Sequence, residues 1–594
     1  SYQKALPYYQ QSLQTIKETL GEKHPHYATS LLNMALLVYK IDKNDPRVSD
    51  LLSKGIEITT NFLKTGTSFL GDQALQNFIK KNYYNFEQVN SIAISLHSKE
   101  LVQKAFAGEL LLKGIALQNS RDLAAILQNS KDTSTVALIE NFTSIRNRLT
   151  QLSQQNTAFK AIDSLTTIYE NLEQQLMQQS PAFQQLIKNR NINWQQVQQK
   201  LQPNEAAIEF VHFRYWDNRW TDTTQYAAFL LLPKGEPQMI GLCTKKMLKK
   251  RINDSTSKDV AYVNELYQVK DRGIIVAKKK DTAASLYQLL WQPLDSLLTG
   301  ISTVYYAPSG LLHRINLAAI NYADRKVLGD KYKFHLLGST RDIVNYQSPL
   351  ADSKKDSMLA YGGIRFDMDS AALAFGHKKY FSASEPVVEL ASRSGEGYYW
   401  SELPASAEEI DSVQAMATAA GMDCLALTAT DATEESFKYY TSQTSSPSFI
   451  HVATHGFFIP DEQRAKQLRA QEGSTPYFIG SPNVLFRSGI AFAGANQVSS
   501  GKPAVQGIED GIVTGYDITN ANLQNTKLMV LSACETGLGK IENTEGVFGL
   551  QRAIRMAGCK NLLMSLWKVP DEQTNMFMQF FYRALLQQKQ TVYD

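Results

Sequence analysis

Residues 449–458 read FIHVATHGFF, and residues 528–539 read LMVLSACETGLG. In each stretch an apolar run typical of a buried strand ends in a chemically active residue, with a glycine within the next three positions. The first run leads to His455 and Gly456, and the second leads to Cys534. Parallel strands place their functional residues at their carboxyl ends, and glycine lets a ligand approach the main chain closely. These two stretches therefore predict one site on an α/β sheet.

The pairing of a thiol with an imidazole is typical of acyl transfer. Histidine stabilises the thiolate, and backbone N–H groups near the glycines can receive the developing oxyanion. The residues alone leave an alternative open, because a cysteine in an apolar strand is often a small buried filler. A histidine at a strand end can likewise be structural.

Other apolar runs after residue 204 fit the same layered architecture. Three of them, at residues 206–213, 226–233 and 237–243, are separated too briefly for helical crossovers and predict an antiparallel meander. Further strands are predicted at residues 302–308, 358–364, 424–428 and 561–567. Helical patterns lie between them at residues 407–421, 433–441 and 545–558. The alternation predicts an α/β fold with a mostly parallel sheet.

The chain before residue 204 has helical periodicity. Residues 2–39 form two amphipathic stretches separated by Gly21, and Pro25 begins the second one. This segment resembles a tetratricopeptide repeat of the kinesin-light-chain kind. A lone repeat buries its apolar face poorly, so we expect the natural protein to continue upstream of Ser1. We expect this helix pair at residues 1–45, helices with a short coiled coil or an ordinary amphipathic helix at 46–203, and the α/β domain at 204–594.

Composition excludes several classes of protein. The 61 basic and 57 acidic residues leave a net charge of +4, so the charge balance does not indicate a nucleic-acid surface. The four cysteines form no CxxC pair, which disfavours a disulfide framework or a zinc site. No apolar run approaches the roughly 18 residues of a membrane helix, and no signal segment is visible. We therefore expect a cytoplasmic protein with no membrane partner.

Several motifs resemble the CHAT domain, a caspase-like protease family related to separase. They are HVATHG at 451–456, LSACETG at 531–537 and the long segment at 545–574. The likeness extends to residues 305–320, 361–363 and 403–409, and into the helices at 106–117 and 145–149. The resemblance implies a caspase-like fold and a family pattern that continues beyond the last residue with a tryptophan-containing strand.

The resemblance also implies catalytic roles. His455 matches the catalytic histidine and Cys534 the nucleophile of peptide-bond hydrolysis, with no cofactor and no metal. The backbone N–H groups of Gly456 and Cys534 would form the oxyanion hole. Asp571 matches an acidic position that receives a basic P1 side chain in separase-like relatives, and Asp510 is a second pocket candidate. Alternatively, Asp571 only caps the helix that follows Pro570.

Structural roles are predicted for one further histidine and for three cysteines. His451 precedes His455 by four residues, but the glutamate of a zinc HExxH motif is missing and the segment is a predicted strand. We expect His451 to support the site or pack in the sheet. Cys243, Cys424 and Cys559 are predicted to be structural.

Together these observations predict a regulated cysteine endopeptidase that cleaves a protein substrate. We expect its helical region to bind a protein activator or regulator. The resemblance makes a role in bacterial antiviral defence plausible, through cleavage of a gasdermin-like pore former or another effector. The alternative is a non-catalytic repeat scaffold with a degenerate protease fold. Direct nucleic-acid binding has only the lysine-rich runs near residues 245–251 and 278–280 in its favour, and these fit solvated loops better.

Overall fold

The computed structural model describes most of the chain. It covers residues 2–591 apart from 97, 130–134, 154–158, 191, 253–265, 267–283, 346–355, 381–398, 444, 462–463, 465–479, 500–507, 534–535, 538, 543 and 568–569.

The first 200 residues form helices, as their periodicity predicts. Their bounds are α1 Tyr2–Leu20, α2 Pro25–Ile41, α3 Arg47–Gly66, α4 Asp72–Asn82, α5 Tyr84–Leu96, α6 Lys99–Leu112, α7 Ile115–Asn129, α8 Val136–Ser153, α9 Phe159–Gln179, α10 Pro181–Asn189 and α11 Trp194–Lys200. Gly21 ends the first helix with a φ of +84°. His24 caps the second by accepting a hydrogen bond from the N–H of His26 at 3.1 Å, and Pro25 occupies its first turn. Two helices therefore form where the periodicity predicts them, and their assignment to a tetratricopeptide repeat stays a prediction.

A five-stranded mixed sheet follows the helices, in the order β3-β2-β1-β4-β7. Its strands are β1 Glu205–Trp216, β2 Trp220–Leu231, β3 Gln238–Thr244, β4 Thr303–Ala307 and β7 Lys333–Leu336. The strands β1, β2 and β3 are antiparallel, with Phe210 opposite Ala228, which confirms the predicted meander. The strands β4 and β7 continue the sheet in parallel.

A second five-stranded sheet is parallel throughout and has the order β17-β14-β10-β8-β9. Its strands are β8 Ser357–Ile364, β9 Asp423–Ala429, β10 Phe449–Ala453, β14 Leu528–Ser532 and β17 Asn561–Met564. Every residue of the central strand β10 and of its neighbour β14 is buried. Strands that are covered on both faces have near-continuous apolar sequences, so the apolar runs predict this burial. The α/β fold class with a mostly parallel sheet after an all-helical region is confirmed.

The shorter strands form three further, smaller sheets. The bounds are β5 Asn321–Ala323, β6 Lys326–Val327, β11 Gly456–Phe458, β12 Ser488–Ala491, β13 Ile512–Thr514, β15 Lys540–Glu542 and β16 Gly546–Phe548. The strands β11, β12 and β13 form an antiparallel sheet, and β11 begins three residues after the end of β10.

The helices after residue 204 lie between these strands in the chain, except α20, which follows β17. They include α12 Lys245–Ile252, α13 Gln292–Asp295, α14 Ser370–Tyr380, α15 Pro404–Ala419, α16 Glu434–Ser442, α17 Ala495–Ser499, α18 Gly515–Ile518, α19 Leu550–Met556 and α20 Asp571–Tyr582. The helix predicted from residue 545 is wrong at its start, where residues 546–548 form β16. Gly546 has a φ of +78°, which a right-handed helix excludes.

The chain folds into two compact units. Unit 1 comprises Ser1–Ala116, Gln184–Gln347 and Ile541–Gly546, and unit 2 comprises Leu117–Phe183, Ser348–Lys540 and Val547–Asp594. In unit 1 the helices pack on the first sheet, where Phe106 stacks on Phe229 with ring centroids 5.2 Å apart. In unit 2 the core includes Leu149 and Ile162, so α8 and α9 pack with the parallel sheet. The predicted boundaries at residues 45 and 203 stay predictions.

Among the described residues, none of the helices combines the length and the apolar composition that crossing a bilayer requires.

Candidate active site

His455 lies two residues after the end of β10, at the carboxyl end of the parallel sheet. The strands β10 and β14 are neighbours, with Ala453 opposite Ser532. The N–H of Thr454 extends this pairing by donating to the Ser532 carbonyl at 3.3 Å. On the other side, the N–H of Ala491 donates to the carbonyl of His455 at 3.0 Å. The backbone of His455 is therefore fixed between two neighbouring strands.

The imidazole of His455 packs against two buried aromatic rings. Its centroid lies 5.2 Å from that of Phe366 and 5.5 Å from that of Trp400. Trp400 is itself anchored, because its N–H donates to Asn496 Oδ1 at 2.8 Å and its carbonyl accepts from Asn496 Nδ2 at 2.9 Å. These contacts restrict the orientation of the imidazole.

A main-chain carbonyl selects the tautomer of this histidine. Nε2 of His455 lies 2.7 Å from the carbonyl oxygen of Ser401. A carbonyl oxygen can only accept, so Nε2 carries the proton, and in the neutral ring Nδ1 keeps its lone pair. The imidazole can thus accept a proton at Nδ1 while Ser401 stabilises the resulting cation. The sequence gives no signal for this partner, because a backbone carbonyl is common to all residues.

Burial and charge act in opposite directions on His455. Burial lowers the pKa of the imidazole below its usual value, while the Ser401 carbonyl and the charge of Asp571 raise it. A lowered pKa keeps the ring neutral near pH 7, which is the form that a general base requires.

Cys534 lies outside the described residues, but the residues around it are well anchored. Ala533 accepts hydrogen bonds at its carbonyl from the hydroxyls of Ser565 and Thr536. The N–H of Gly537 donates to the Ser565 carbonyl at 2.8 Å. Ala533 and Gly537, which lie on either side of Cys534 in the sequence, are thus both hydrogen-bonded to Ser565, the residue after β17. Contact between Cys534 and His455 stays a prediction, supported by the pairing of β10 with β14.

Gly456 begins β11, where the ladder geometry determines the direction of its N–H. The bonds from Ala491 N to His455 O and from Ile459 N to Arg487 O mark the hydrogen-bonded pairs of β11 and β12. Gly456 lies opposite Ile490, between those pairs. Hydrogen-bonded and non-bonded pairs alternate along an antiparallel ladder, so the N–H of Gly456 is directed away from β12. This direction is compatible with the predicted oxyanion hole.

The other three cysteines have weakly acidic thiols. Burial raises the pKa of Cys243 to about 12, that of Cys559 to about 12 and that of Cys424 to about 11. Only a thiolate is a strong nucleophile, so these thiols are unreactive near neutral pH. Their environments are consistent with the predicted structural roles.

Asp571 is the first residue of α20, and its carboxylate reaches a different helix. Oδ2 accepts a hydrogen bond from the N–H of Ala405, in the first turn of α15, at 2.9 Å. The cap position of α20 is Pro570, which makes no side-chain cap bond. Burial raises the pKa of Asp571, while the Ala405 N–H and the charge of His455 lower it. Asp571 thus interacts electrostatically with His455, and its predicted contact with a basic P1 side chain stays a prediction.

Asp510 lies in a buried acidic network before β13. Its Oδ1 accepts from the N–H of Ile512 at 2.9 Å, and Glu434 accepts from the same N–H at 3.1 Å. Lys438 lies 2.8 Å from Glu434 and 2.9 Å from Glu509. Burial raises the pKa of Glu434 well above its usual value, and Lys438 opposes the shift. The network fixes the start of β13, and a role for Asp510 in a substrate pocket stays a prediction.

His451 is a buried residue of β10. Its Nδ1 is hydrogen-bonded to the hydroxyl of Tyr582 at 3.0 Å, and its Nε2 lies 2.8 Å from Glu409 Oε1. Histidine, glutamate and tyrosine are all nearly inaccessible to solvent. His451 therefore packs between its own strand, β10, and the helices α15 and α20, which carry Glu409 and Tyr582. Over the described part of the chain, no group of three or more potential ligands could hold a metal ion.

The family of the chain follows from its sequence match. Residues 280–593, more than half of the chain, match the model of the CHAT domain. The chain belongs to the CHAT-domain family, a caspase-like and protease-related fold. The parallel sheet and the site at its carboxyl edge agree with that assignment, and the predicted combination of a helical region with a CHAT domain is confirmed.

Two curated relatives of the chain are named for their tetratricopeptide repeats. The chain is similar to tetratricopeptide repeat protein 28 of Homo sapiens, with 25% identity over 202 residues, and to the protein of the same name from Mus musculus, with 25% identity over 199 residues. Each match covers 33% of this chain. The chain spans only 8% of the length of each relative.

Proposed function

We propose that this chain is a cysteine endopeptidase that hydrolyses peptide bonds of a protein substrate. The observation that carries the proposal is the state of His455. Its Nε2 is bound by the Ser401 carbonyl, its ring is held by Phe366 and Trp400, and its Nδ1 keeps a lone pair. This histidine lies two residues beyond Ala453, and Cys534 lies two residues beyond the paired Ser532.

The reaction begins when Nδ1 of His455 takes the thiol proton of Cys534. The thiolate attacks the scissile carbonyl carbon, and the negative charge that forms on oxygen is received by the N–H groups of Gly456 and Cys534. His455 then returns the proton to the leaving amine, which breaks the C–N bond and leaves a thioester. Water hydrolyses the thioester with the same imidazole as base, and the free thiol is restored.

The helical region is proposed to bind a protein that regulates the site. Support comes from the relatives named for their repeats and from the two helices α1 and α2. A location in the cytoplasm and a role in bacterial defence, by cleavage of a gasdermin-like protein or another effector, are parts of the proposal that rest on the family resemblance. For substrate choice, Asp571 and Asp510 are the two candidates that could recognise a basic P1 side chain.

Covalent labelling tests the proposal directly. The full chain is incubated with a peptidyl acyloxymethyl ketone, and the modified residue is identified by mass spectrometry. We expect one adduct at Cys534, since the other thiols have raised pKa values. The adduct should be absent in Cys534→Ala and strongly reduced in His455→Ala.

Cys424→Ala provides the matched control, because Cys424 is the least buried of the three described cysteines. Its labelling should equal that of the unmodified protein. An adduct that survives Cys534→Ala, or no adduct in the presence of a protein that binds the helical region, would favour the non-catalytic scaffold.

A further inference from the structure

The helix α15 begins without a cap of its own. Its N-cap residue is Leu403, whose side chain cannot accept a hydrogen bond, and its first residue is Pro404, which has no N–H. The first N–H that needs a partner is therefore that of Ala405. Asp571 supplies the missing acceptor from the start of α20, at 2.9 Å.

The carboxylate of Asp571 thus lies at the amino ends of two helices. Backbone dipoles place partial positive charge at both ends, which favours an anion there. The bond joins residues separated by 166 positions in the chain, so it connects two distant segments of unit 2.

The segment that Asp571 fixes is the one that orients His455. Only Glu402, Leu403 and Pro404 separate Ser401 from Ala405. The upstream end of this segment is held at Trp400 by Asn496, through hydrogen bonds of 2.8 and 2.9 Å. Its downstream end is held by Asp571. The Ser401 carbonyl lies between these two anchors.

The charge of Asp571 also acts on the imidazole itself. It raises the pKa of His455 against the effect of burial, and the charge of His455 lowers the pKa of Asp571 in return. Glu409 and Glu572 are the other charged groups that act on Asp571, and both raise its pKa. The carboxylate therefore favours the protonated form of the ring.

We propose that Asp571 is a positioning residue for His455, which fixes the Ser401 carbonyl through Ala405 and stabilises the imidazolium by its charge. This inference rests on the proposed peptidase function, in which the imidazolium forms when Cys534 loses its proton. It assigns Asp571 an effect on the rate of thiol acylation that is independent of the P1 side chain.

Two variants separate the contact from the charge. Asp571→Asn keeps an oxygen that can accept from Ala405 but removes the charge, and Asp571→Ala removes both. Glu572→Gln is the matched control, because it removes an exposed charge from the next position of the same helix. Thermal unfolding of all three variants verifies that they are folded.

The first measurement does not depend on catalysis. The ring signals of ¹³C-labelled histidines are titrated in the full chain, and the His455 signal is assigned by its loss in His455→Ala. We expect the pKa of His455 to fall by about half a unit to one unit in Asp571→Asn and Asp571→Ala, and to stay unchanged in Glu572→Gln. An unchanged His455 titration in both Asp571 variants would overturn the inference.

The second measurement distinguishes positioning from substrate recognition. Inactivation by acyloxymethyl ketones with Arg or Leu at P1 gives a limiting rate and an apparent binding constant for each. We expect the limiting rate to fall about three- to tenfold for both electrophiles in Asp571→Asn, and further in Asp571→Ala. A loss confined to the binding of the Arg electrophile overturns the inference and assigns Asp571 to the P1 pocket. Absence of labelling in the unmodified protein counts against the peptidase function, while the His455 titration still decides the role of Asp571.

Discussion

Glu409 Oε1 lies 2.8 Å from Nε2 of His451, and both side chains are within 1% of complete burial. Glu409 belongs to α15, which begins three residues after Ser401, and His451 belongs to β10, which ends two residues before His455. A carboxylate buried in this way needs a partner, because removal from water is costly. The pair therefore connects the packing of the sheet to the geometry of the site.

Removal of His451 should be strongly destabilising. In His451→Ala we expect the free energy of unfolding to fall by about 3–5 kcal/mol, since Glu409 is left without its partner. Tyr582→Phe should cost about 1–2 kcal/mol through loss of its hydrogen bond to His451. Asp411→Asn is the control, because it changes an exposed charge on α15. Equal midpoints for His451→Ala and Asp411→Asn in urea would contradict the prediction.

Catalysis should depend on both residues of the proposed dyad. We expect Cys534→Ala to abolish turnover, and His455→Ala to reduce it by at least about 100-fold, because the proton acceptor is lost. Proteome-wide identification of new protein amino termini, in cells with the unmodified protein and with Cys534→Ala, measures this and reveals the substrate. Identical sets of new termini would refute the assignment.

His455 should make the folded state sensitive to acid. Its pKa is lower in the folded state than in the unfolded chain, so the unfolded state binds more protons once the pH falls below about 6.5. Stability is therefore lost as the pH falls from that value through the folded-state pKa. His455→Gln lacks this contribution, so its melting temperature should decline less between pH 7 and pH 5. Parallel decline in the two proteins would show that His455 is not responsible.

Glu109 should have the opposite dependence on pH. It accepts hydrogen bonds from the hydroxyl of Tyr83 at 2.8 Å and from Asn90 at 3.0 Å. Burial raises its pKa to about 7, so the folded state binds more protons than the unfolded state between about pH 4.5 and 7. Stability from this group is thus lost as the pH rises through that window.

The corresponding variant is Glu109→Gln. It should gain about 1–3 kcal/mol relative to the unmodified protein at pH 8, and little at pH 5. Glu57→Gln, an exposed change in unit 1, should show no such dependence. A constant difference between Glu109→Gln and the unmodified protein at both pH values would contradict the raised pKa.

The strands around the site were predictable because their signals are local. The apolar runs before His455 and Cys534 are continuous, which is typical of strands buried on both faces, and β10 and β14 are indeed neighbours. The helices α1 and α2 were predictable for the same reason. Gly21 ends the first helix and Pro25 begins the second, and both are local signals. The strand β16 was missed because a helical pattern follows it directly. That pattern was extended back over Gly546, whose positive φ the sequence does not reveal.

The partners of His455 could not be predicted in the same way. The Ser401 carbonyl carries no side-chain signature, and the rings of Phe366 and Trp400 belong to segments distant in sequence. The bond from Ala405 to Asp571 likewise depends on how two helices meet. Tertiary contacts of this kind are set by the packing of the whole unit, and no periodicity in the sequence reports them.

The chain passes between the two units five times, after Ala116, Phe183, Gln347, Lys540 and Gly546. No single cut can therefore release either unit as an intact fragment. An expression fragment that starts at residue 204 would lack Leu149 and Ile162, which belong to the core around the parallel sheet. It would also lack the residues before Ala116 that fold together with Ile541–Gly546, a segment that begins seven positions after Cys534. Truncation at residue 204, where helical periodicity gives way to strand patterns, would thus remove parts of both units.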